Sequence, residues 1–295
     1  MPLLSLFIRL IMIDINVALV NKLINSQFPE WQGLTVKPIK KSGHDNRTFH
    51  LGDKKLVRLP SAERYASQPD KEYEWMPKLS KYISLPIPSP IAKGKPSFGY
   101  PYSWTVTPLL QGEAVEHGRI CDMRGFIVDL VNFLKELQSA DTDNAPVAGR
   151  HNFYRGGNLS IYDVETRRAV DRLQNVLPAD KLLDIWNAAT STQWKQKDVW
   201  VHGDMEIGNL LTHNGSLSAV IDFGCSAVGD PACDYVMAWT FFDADNRKLF
   251  FKLLNCDKDM ICRARGWTLW KALINYGVDY GDAMPQRVID AILNE

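Results

Sequence analysis

Three side chains in the C-terminal half of the chain have types and spacing that suit chemistry with a metal ion. Asp204 follows His202 and a glycine, Asn209 comes five residues after Asp204, and Asp222 begins an Asp-Phe-Gly triplet thirteen residues further on. A carboxylate can orient or deprotonate a hydroxyl group, and carboxylate and amide oxygens are ligands that Mg²⁺ accepts. The three residues therefore predict a site where a base lies beside a bound metal.

The segment between Asn209 and Asp222 has the pattern of a β-hairpin. Short apolar runs flank the dipeptide Asn214-Gly215. Asn-Gly is favoured in tight hairpin turns because both residues tolerate positive φ. Such a hairpin would return Asp222 to the neighbourhood of Asn209, so that both could reach one metal ion.

The order of these motifs resembles that of protein kinases and, more closely, that of the aminoglycoside phosphotransferase family, which includes relatives of choline kinase. The most specific parts are HGDMEIGN at residues 202–209, AVIDFG at residues 219–224, and Gly-Asp-Pro at residues 229–231 with Asp234. Protein kinases usually carry arginine where this chain has the glycine after His202, which favours the branch that acts on small molecules. The resemblance covers nearly the whole chain.

The resemblance implies an α+β, two-lobed, protein-kinase-like fold, with an antiparallel sheet in the N-terminal lobe and a larger, mainly helical C-terminal lobe. It implies an enzyme that moves the γ-phosphoryl group of ATP or GTP to a hydroxyl of a small molecule, such as an aminoglycoside or another antibiotic. Asp204 would be the catalytic base or hydroxyl-orienting group, with His202 supporting its loop. Asn209 and Asp222 would hold Mg²⁺.

The predicted secondary structure agrees with two lobes, since a strand-rich region precedes a helical one. Strands are expected at residues 34–39, 47–51, 55–59 and 102–110, with one helix at 70–82; helices then follow at 123–140, 161–176, 179–190 and after Pro231. We therefore expect a nucleotide-binding lobe over residues 1–110 and a catalytic and substrate-binding lobe over residues 111–295. Residues 1–12 are interpreted as an extension, with Asp14 capping the first helix.

Two parts of the N-terminal lobe are candidates for binding phosphate. Ser42 and Gly43 lie where the family places its phosphate-covering loop, although the chain has no GxGxxG motif. Strand alternation turns Arg58 away from the side of its apolar neighbours, so it can replace the lysine that protein kinases usually carry there. Glu72 is the expected ion-pair partner of Arg58, with Glu74 as the second choice.

The segment that follows the last predicted strand of this lobe resembles the hinge that binds the purine base. By position, the carbonyl group of Pro108 would accept a hydrogen bond from the purine amine and the N–H of Leu110 would donate one. Backbone groups make these contacts, so the side chains do not distinguish adenine from guanine.

The acceptor substrate is less sharply indicated. A site for polycationic aminoglycosides should be rich in carboxylates, yet acids and bases are equally frequent after residue 240. Arg155, in a glycine-rich loop, and Asp243 and Asp245 are the substrate-side candidates. Two alternatives stay open: a catalytically weak nucleotide-binding module, and a kinase of a metabolite alcohol such as a sugar or a choline-like compound.

The composition excludes several other classes of protein. The 295 residues include 34 basic and 34 acidic side chains, whereas nucleic-acid-binding proteins usually have a basic excess. The five cysteines form no CxxC pair, which favours reduced thiols in the cytoplasm over disulfides or a zinc site. The apolar N-terminal stretch is shorter than the roughly 20 residues that cross a bilayer. We therefore expect a cytoplasmic enzyme without a nucleic-acid or membrane partner.

Overall fold

The computed structural model describes residues 14–40, 43–116, 118, 120–277 and 284–295, which divide into two units. The N-terminal unit comprises the described residues of Met1–Tyr73 together with Pro90–Leu109; the C-terminal unit comprises Glu74–Ser89 and the described residues of Leu110–Glu295. In the part of the chain that the structure describes, no helix is long and apolar enough to cross a membrane.

An antiparallel sheet of five strands dominates the N-terminal unit. In chain order the elements are α1 (Val17–Gln27), β1 (Val36–Pro38), β2 (Asn46–Leu51), β3 (Lys55–Pro60), the beginning of α2 (Gln68–Leu79), β4 (Ala92–Gly94) and β5 (Trp104–Pro108). The strands lie in the order β1-β2-β3-β5-β4, and each pair is antiparallel. The short edge strand β4 was not predicted from the sequence.

Helix α1 covers one face of this sheet. Its apolar stripe packs with alternate residues of the strands in one cluster that includes Val20, Leu23, Ile24, Phe49, Leu51, Val57, Leu59, Trp104 and Val106. The expected cap of this helix is wrong: Asn16, not Asp14, accepts the hydrogen bond from the N–H of Leu19, at 3.0 Å. Asp14 instead accepts a hydrogen bond from the Asn16 side chain. The predicted extension over residues 1–12 lies outside the described residues.

Helices form most of the C-terminal unit. Its elements are the end of α2, β6 (Glu113–Ala114), α3 (Met123–Ser139), α4 (Asp163–Leu173), α5 (Ala179–Thr190), β7 (Val199–Val201), β8 (Leu210–His213), β9 (Ser216–Val220), β10 (Ala227–Gly229), α6 (Met237–Thr240), α7 (Ala244–Leu254), α8 (Lys258–Ile274) and α9 (Met284–Leu293). The mixed fold, with an antiparallel sheet before a helical region, confirms the predicted fold class.

One large apolar core fills the C-terminal unit. The inward face of α3 contributes the residues predicted from its 3.6-residue periodicity, including Phe126, Leu130, Leu134 and Leu137. The segment Glu74–Ser89 belongs to this unit because Trp75, Met76 and Leu79 are part of the same core. That segment lies within the N-terminal lobe of the sequence-based division.

The predicted hairpin is present. Strands β8 and β9 pair antiparallel, and Asn214 and Gly215 between them have φ values of 52° and 82°. Both residues therefore adopt the left-handed conformation for which Asn-Gly is favoured. The helix expected at 161–176 is shorter, since a 3₁₀ turn over Leu159–Tyr162, capped by Asn158, precedes α4.

Candidate active site

A buried carboxylate fixes the backbone at the start of residues 202–209, here called the Asp204 loop. The Asp234 side chain accepts hydrogen bonds from the N–H groups of His202, at 2.6 Å, and Gly203, at 2.7 Å. Asp234 ends a 3₁₀ turn over Pro231–Asp234 and is fully buried. Burial raises the pKa of Asp234, and the hydrogen bonds from these two N–H groups oppose that rise. The backbone donors therefore satisfy a carboxylate that would otherwise be costly to bury.

His202 organises the loop through both ring nitrogens. Its Nε2 lies 3.0 Å from the carbonyl oxygen of Ile221, and its Nδ1 lies 3.3 Å from the N–H of Asp204. A carbonyl can only accept and an N–H can only donate, so this network assigns the proton to Nε2. The neutral ring thus links the Asp204 loop to the end of β9. This arrangement supports the structural role expected for His202.

Gly203 is required by its backbone conformation and by close packing. Its φ is +80°, and a Cβ atom there would lie 2.3 Å from the carbonyl oxygen of Cys225. Residues other than glycine rarely adopt this φ, and the backbone carbonyl of Cys225 cannot easily shift to make room for a Cβ atom. The glycine that separates His202 from Asp204 therefore has a physical role besides marking the family pattern.

Asn209 and Asp222, the predicted metal ligands, are brought close together by hydrogen bonds at the two ends of the hairpin. The side-chain amide of Asn209 donates to the backbone oxygen of Asp204 at 2.8 Å and to its Oδ2 at 3.3 Å. These bonds turn the Asn209 Oδ1, an oxygen that Mg²⁺ accepts, away from Asp204. The N–H of Ile221 donates to the backbone oxygen of Asn209 at 2.8 Å. Asp222 is the residue after Ile221, so this hydrogen bond brings the backbone of Asp222 close to Asn209.

Asp222 itself has φ of 67°, a left-handed conformation that is unusual for a residue other than glycine and that occurs at functional sites. Among the described residues, no group of three or more His, Cys, Asp and Glu side chains could hold a metal. An Asn-Asp pair suits Mg²⁺, which usually keeps waters and binds substrate phosphates together with one or two protein ligands. The pair therefore fits a metal that arrives with a nucleotide.

A lysine that the sequence analysis missed makes an ion pair with Asp204. Lys271, on α8, has its Nζ 2.9 Å from Asp204 Oδ1 and also donates to Glu206 Oε1. Burial alone would raise the pKa of Asp204, but the charge and hydrogen bond of Lys271, with a smaller effect of the Arg155 charge, lower it below its ordinary value. Asp204 is consequently ionised at neutral pH.

Helix α8 is fixed at two further points, which positions Lys271. Arg263 donates to Asp230 Oδ2 at 2.6 Å, and Trp270 donates to Glu165 Oε2 at 2.7 Å.

A signal for Lys271 was present in the sequence, because it is the only charged residue of the apolar run 266–274. A lone charge in a buried helix needs a partner, but the sequence did not indicate which one.

Arg155 also lies next to the Asp204 loop. Its guanidinium carbon is 4.4 Å from the ring centroid of Trp270, a cation–π distance. The loop that carries it is held by the buried Asn152, whose side chain donates to the backbone oxygens of Arg155 and Cys225. The substrate-side candidate Arg155 is therefore an ordered cation near Asp204.

In the N-terminal unit, Arg58 and Glu72 form the expected ion pair. The Arg58 Nη1 lies 3.1 Å from both oxygens of Glu72, and the two side chains are only 10% and 5% exposed. Arg58 is on β3 and Glu72 is in α2. The second choice, Glu74, instead pairs with Lys78. The contact is a fact of the structure, whereas phosphate binding by Arg58 stays a prediction.

Comparison with known proteins decides the family. The model of a family described as the phosphotransferase enzyme family matches residues 35–254. The chain belongs to the phosphotransferase enzyme family. It is thus an enzyme that transfers a phosphoryl group to an alcohol group, which confirms the reaction class expected from the sequence. No sequence among curated proteins matches the chain.

Solved structures similar to this phosphotransferase share its fold. A GDP complex of wild-type aminoglycoside 2'-phosphotransferase-IIIa has 19% identity and a TM-score of 0.72, with 95% of this chain and 99% of that chain covered. A macrolide 2'-phosphotransferase type I has 15% identity and a TM-score of 0.62, with 94% and 95% covered. A streptomycin–ATP ternary complex of APH(2")-IIa has 18% identity and a TM-score of 0.58, with 96% and 98% covered.

The other predicted nucleotide contacts in this phosphotransferase are less defined. Ser42 lies outside the described residues. Gly43 accepts a hydrogen bond from Arg47, and a Cβ atom there would meet no atom within 4 Å, so packing within the chain does not demand glycine. Pro108 ends β5, paired with Lys55, and Leu110 is the first residue of the C-terminal segment. Their contacts with a purine stay predictions.

The acidic substrate candidates have ordinary structural roles. Asp243 caps α7 by accepting from the N–H of Asn246 at 2.9 Å. Asp245 pairs only loosely with Lys248, at 3.5 Å, and its side chain is 95% exposed. Their roles as substrate contacts remain predictions, and neither contributes to the proposal below.

Proposed function

We propose that this phosphotransferase moves the γ-phosphoryl group of ATP or GTP to a hydroxyl of a small molecule, with Asp204 as the base. The observation that carries the proposal is the contact of Asn209 with Asp204, together with the hairpin that returns Asp222 to Asn209. A carboxylate beside an amide and a second carboxylate is the set that metal-assisted phosphoryl transfer requires. The solved neighbours include nucleotide complexes, which supports a nucleotide donor.

Each residue has a distinct role in this proposal. Asp204 accepts the proton of the attacking hydroxyl, and His202 keeps the loop in shape. Asn209 and Asp222 bind Mg²⁺, which when bound neutralises charge on the nucleotide phosphates. Arg58, held by Glu72, binds phosphate oxygens, since an arginine can donate two parallel hydrogen bonds to them.

An antibiotic is the first acceptor class to test. The solved neighbours are aminoglycoside and macrolide phosphotransferases. A kinase of a metabolite alcohol is the second candidate, because Lys271 and Arg155 near Asp204 supply positive charge where an aminoglycoside amine would need negative charge.

The test is a nucleotide-consumption screen with purified protein. Aminoglycosides, macrolides, choline-like alcohols and sugars are each supplied with Mg²⁺ and ATP or, separately, GTP, and the phosphorylated product is identified by mass spectrometry. Asp204→Asn should abolish product formation, whereas Asp184→Asn, at an exposed position of α5, should leave it unchanged. Nucleotide binding by the wild type without any turnover, including hydrolysis, would instead support a nucleotide-binding module.

The metal ligands are tested by equilibrium binding of nucleotide with and without Mg²⁺. Asp222→Asn removes one negative charge from the proposed metal site. We expect the gain in nucleotide affinity that Mg²⁺ gives the wild type to be mostly lost in this variant, while binding without Mg²⁺ stays the same. A variant that keeps the full Mg²⁺-dependent gain would exclude Asp222 as a ligand.

A further inference from the structure

Lys271 and Arg155 are two cations beside Asp204 that the roles above do not use. Lys271 comes from α8 and Arg155 from the loop after the 3₁₀ turn Arg150–Asn152, so two separate elements supply them. The Cβ atom of Arg155 is 3.1 Å from the place where a Cβ on Gly203 would lie. Both cations are therefore at the Asp204 loop itself.

Both cations have hydrogen-bond donors that meet no acceptor among the described residues. The ammonium group of Lys271 has three N–H donors, of which one serves Asp204 and one serves Glu206. The third has no acceptor among the described residues. In the same part of the chain, none of the five N–H donors of Arg155 meets an acceptor, and its Nε is buried. The buried Nε of Arg155 is costly to leave without an acceptor, and a ligand that approaches Asp204 could supply one.

The transferred phosphoryl group must come close to Asp204, next to the acceptor hydroxyl that contacts it. A base lies about 2.6–3.2 Å from the oxygen whose proton it takes, and that oxygen attacks from about 3–3.5 Å. These distances allow the phosphoryl oxygens to come within reach of Lys271, whose Nζ is 2.9 Å from the Asp204 carboxylate. Their negative charge matches the unused donors.

We propose, on the basis of the function proposed above, that Lys271 and Arg155 form an oxyanion site that binds the phosphoryl group during its transfer. The acceptor oxygen bonds to the γ-phosphorus as the bond from phosphorus to the bridging oxygen of the diphosphate breaks. The hydroxyl proton passes to Asp204, and the leaving diphosphate keeps the bonding electrons. Lys271 and Arg155 stay protonated and donate to the equatorial oxygens of the phosphoryl group.

The probe for this site is fluoroaluminate, which with a nucleoside diphosphate and Mg²⁺ imitates the phosphoryl group in transfer. Affinities for ADP and GDP are measured by calorimetry with and without fluoroaluminate. In the wild type fluoroaluminate should tighten diphosphate binding by tenfold or more. Lys271→Met should lose most of that gain while diphosphate affinity alone changes less than about threefold, and Lys271→Arg should restore part of it. Arg155→Met should show a smaller loss.

The matched control is Lys258→Met, a change of the same type on an exposed lysine of α8. It should keep the full fluoroaluminate gain. Thermal unfolding shows whether each variant is folded; if Lys271→Met is not, the double variant Lys271→Met with Glu206→Gln removes the unpaired charge and is used instead. Hydrolysis of the triphosphate by water, measured in parallel, should slow by about tenfold or more in Lys271→Met.

Three results would overturn the proposal. One is a wild type that binds the diphosphate but gains nothing from fluoroaluminate, and another is a Lys271→Met variant with the wild-type gain. Faster hydrolysis in Lys271→Met would mean that Lys271 blocks Asp204 rather than assisting it. None of these results touches the proposed function, which fails instead if the wild type neither binds nor turns over nucleotide.

Discussion

Two ion pairs, one in each unit, differ in how completely their charges are paired. In the N-terminal unit, Arg58 lies against both oxygens of Glu72, and both side chains are almost fully buried. In the C-terminal unit, Lys271 is shared between Asp204 and Glu206, and the Lys271 and Asp204 side chains are 29% and 32% exposed. The first pair is closed, whereas the second is open to solvent.

The difference teaches what each pair can do. A closed pair in a dry environment holds its arginine in one orientation, which suits the proposed binding of phosphate by Arg58. An open pair lets a hydroxyl reach the carboxylate and leaves donors on the lysine. The Arg58–Glu72 pair is therefore suited to positioning a side chain, and the Asp204–Lys271 pair is suited to proton transfer.

The largest expected effect comes from the open pair. Asp204→Ala removes the carboxylate proposed to accept the hydroxyl proton, so phosphoryl transfer should fall by roughly 100-fold or more. Nucleotide affinity should stay nearly unchanged, because Asp204 binds the acceptor and not the donor. Steady-state kinetics with the best acceptor and calorimetry with a non-hydrolysable nucleotide test both parts. An active Asp204→Ala enzyme would remove Asp204 from this role.

An effect of similar size is expected at the closed pair. Arg58→Ala should cost about 2–4 kcal/mol in kcat/KM for the nucleotide, since a charge-assisted contact with phosphate is lost. Arg58→Lys keeps the charge but not the fork, so it should raise the nucleotide KM and retain some activity. Initial rates at varied nucleotide concentration separate the two variants. Wild-type kinetics in Arg58→Ala would remove Arg58 from this role and make Lys54 and Lys55 the next candidates for binding phosphate.

How far the sequence predicts these pairs depends on distance along the chain. Glu72 follows Arg58 by fourteen residues, and strand alternation followed by helix geometry was enough to choose it over Glu74. Lys271 lies 67 residues beyond Asp204, and its place depends on how α8 packs in the core. No local pattern contains that information, although the lone lysine in an apolar run was visible.

The same reasoning explains the other outcomes. The spacing of Asp204, Asn209 and Asp222 was informative because the Asn-Gly hairpin between them is a local structure with a known turn. The cap of α1 was misassigned because Asp14 and Asn16 are both good capping residues, and only the path of the chain decides between them. Local residue preferences were therefore enough to predict the Asp204 loop, whereas the residues that contact it depend on how the distant helices pack.

The open pair also depends on the backbone that carries Asp204, which Gly203→Ala tests. A side chain at φ of +80° costs about 1–2 kcal/mol, and its Cβ would collide with the Cys225 carbonyl, so we expect the free energy of unfolding to fall by roughly 2 kcal/mol or more. Gly208→Ala is the control in the same loop, because a Cβ there meets nothing within 4 Å. Urea titrations of both variants give the comparison, and equal stabilities would show that the loop tolerates the change.

The smallest effect should come from Glu72→Gln, which keeps the shape of the closed pair and removes its negative charge. Arg58 then keeps an acceptor but loses part of its restraint, so the nucleotide KM should rise by about tenfold or less, roughly 1.4 kcal/mol. Glu74→Gln changes an exposed carboxylate of the same helix, paired with Lys78, and should leave the KM unaltered.

If Arg58 and Glu72 act as one unit, the double variant Arg58→Ala with Glu72→Gln should be less impaired than the sum of the single changes. Strict additivity in this cycle would mean that Glu72 acts on the nucleotide independently of Arg58, and the closed pair would then have no positioning role.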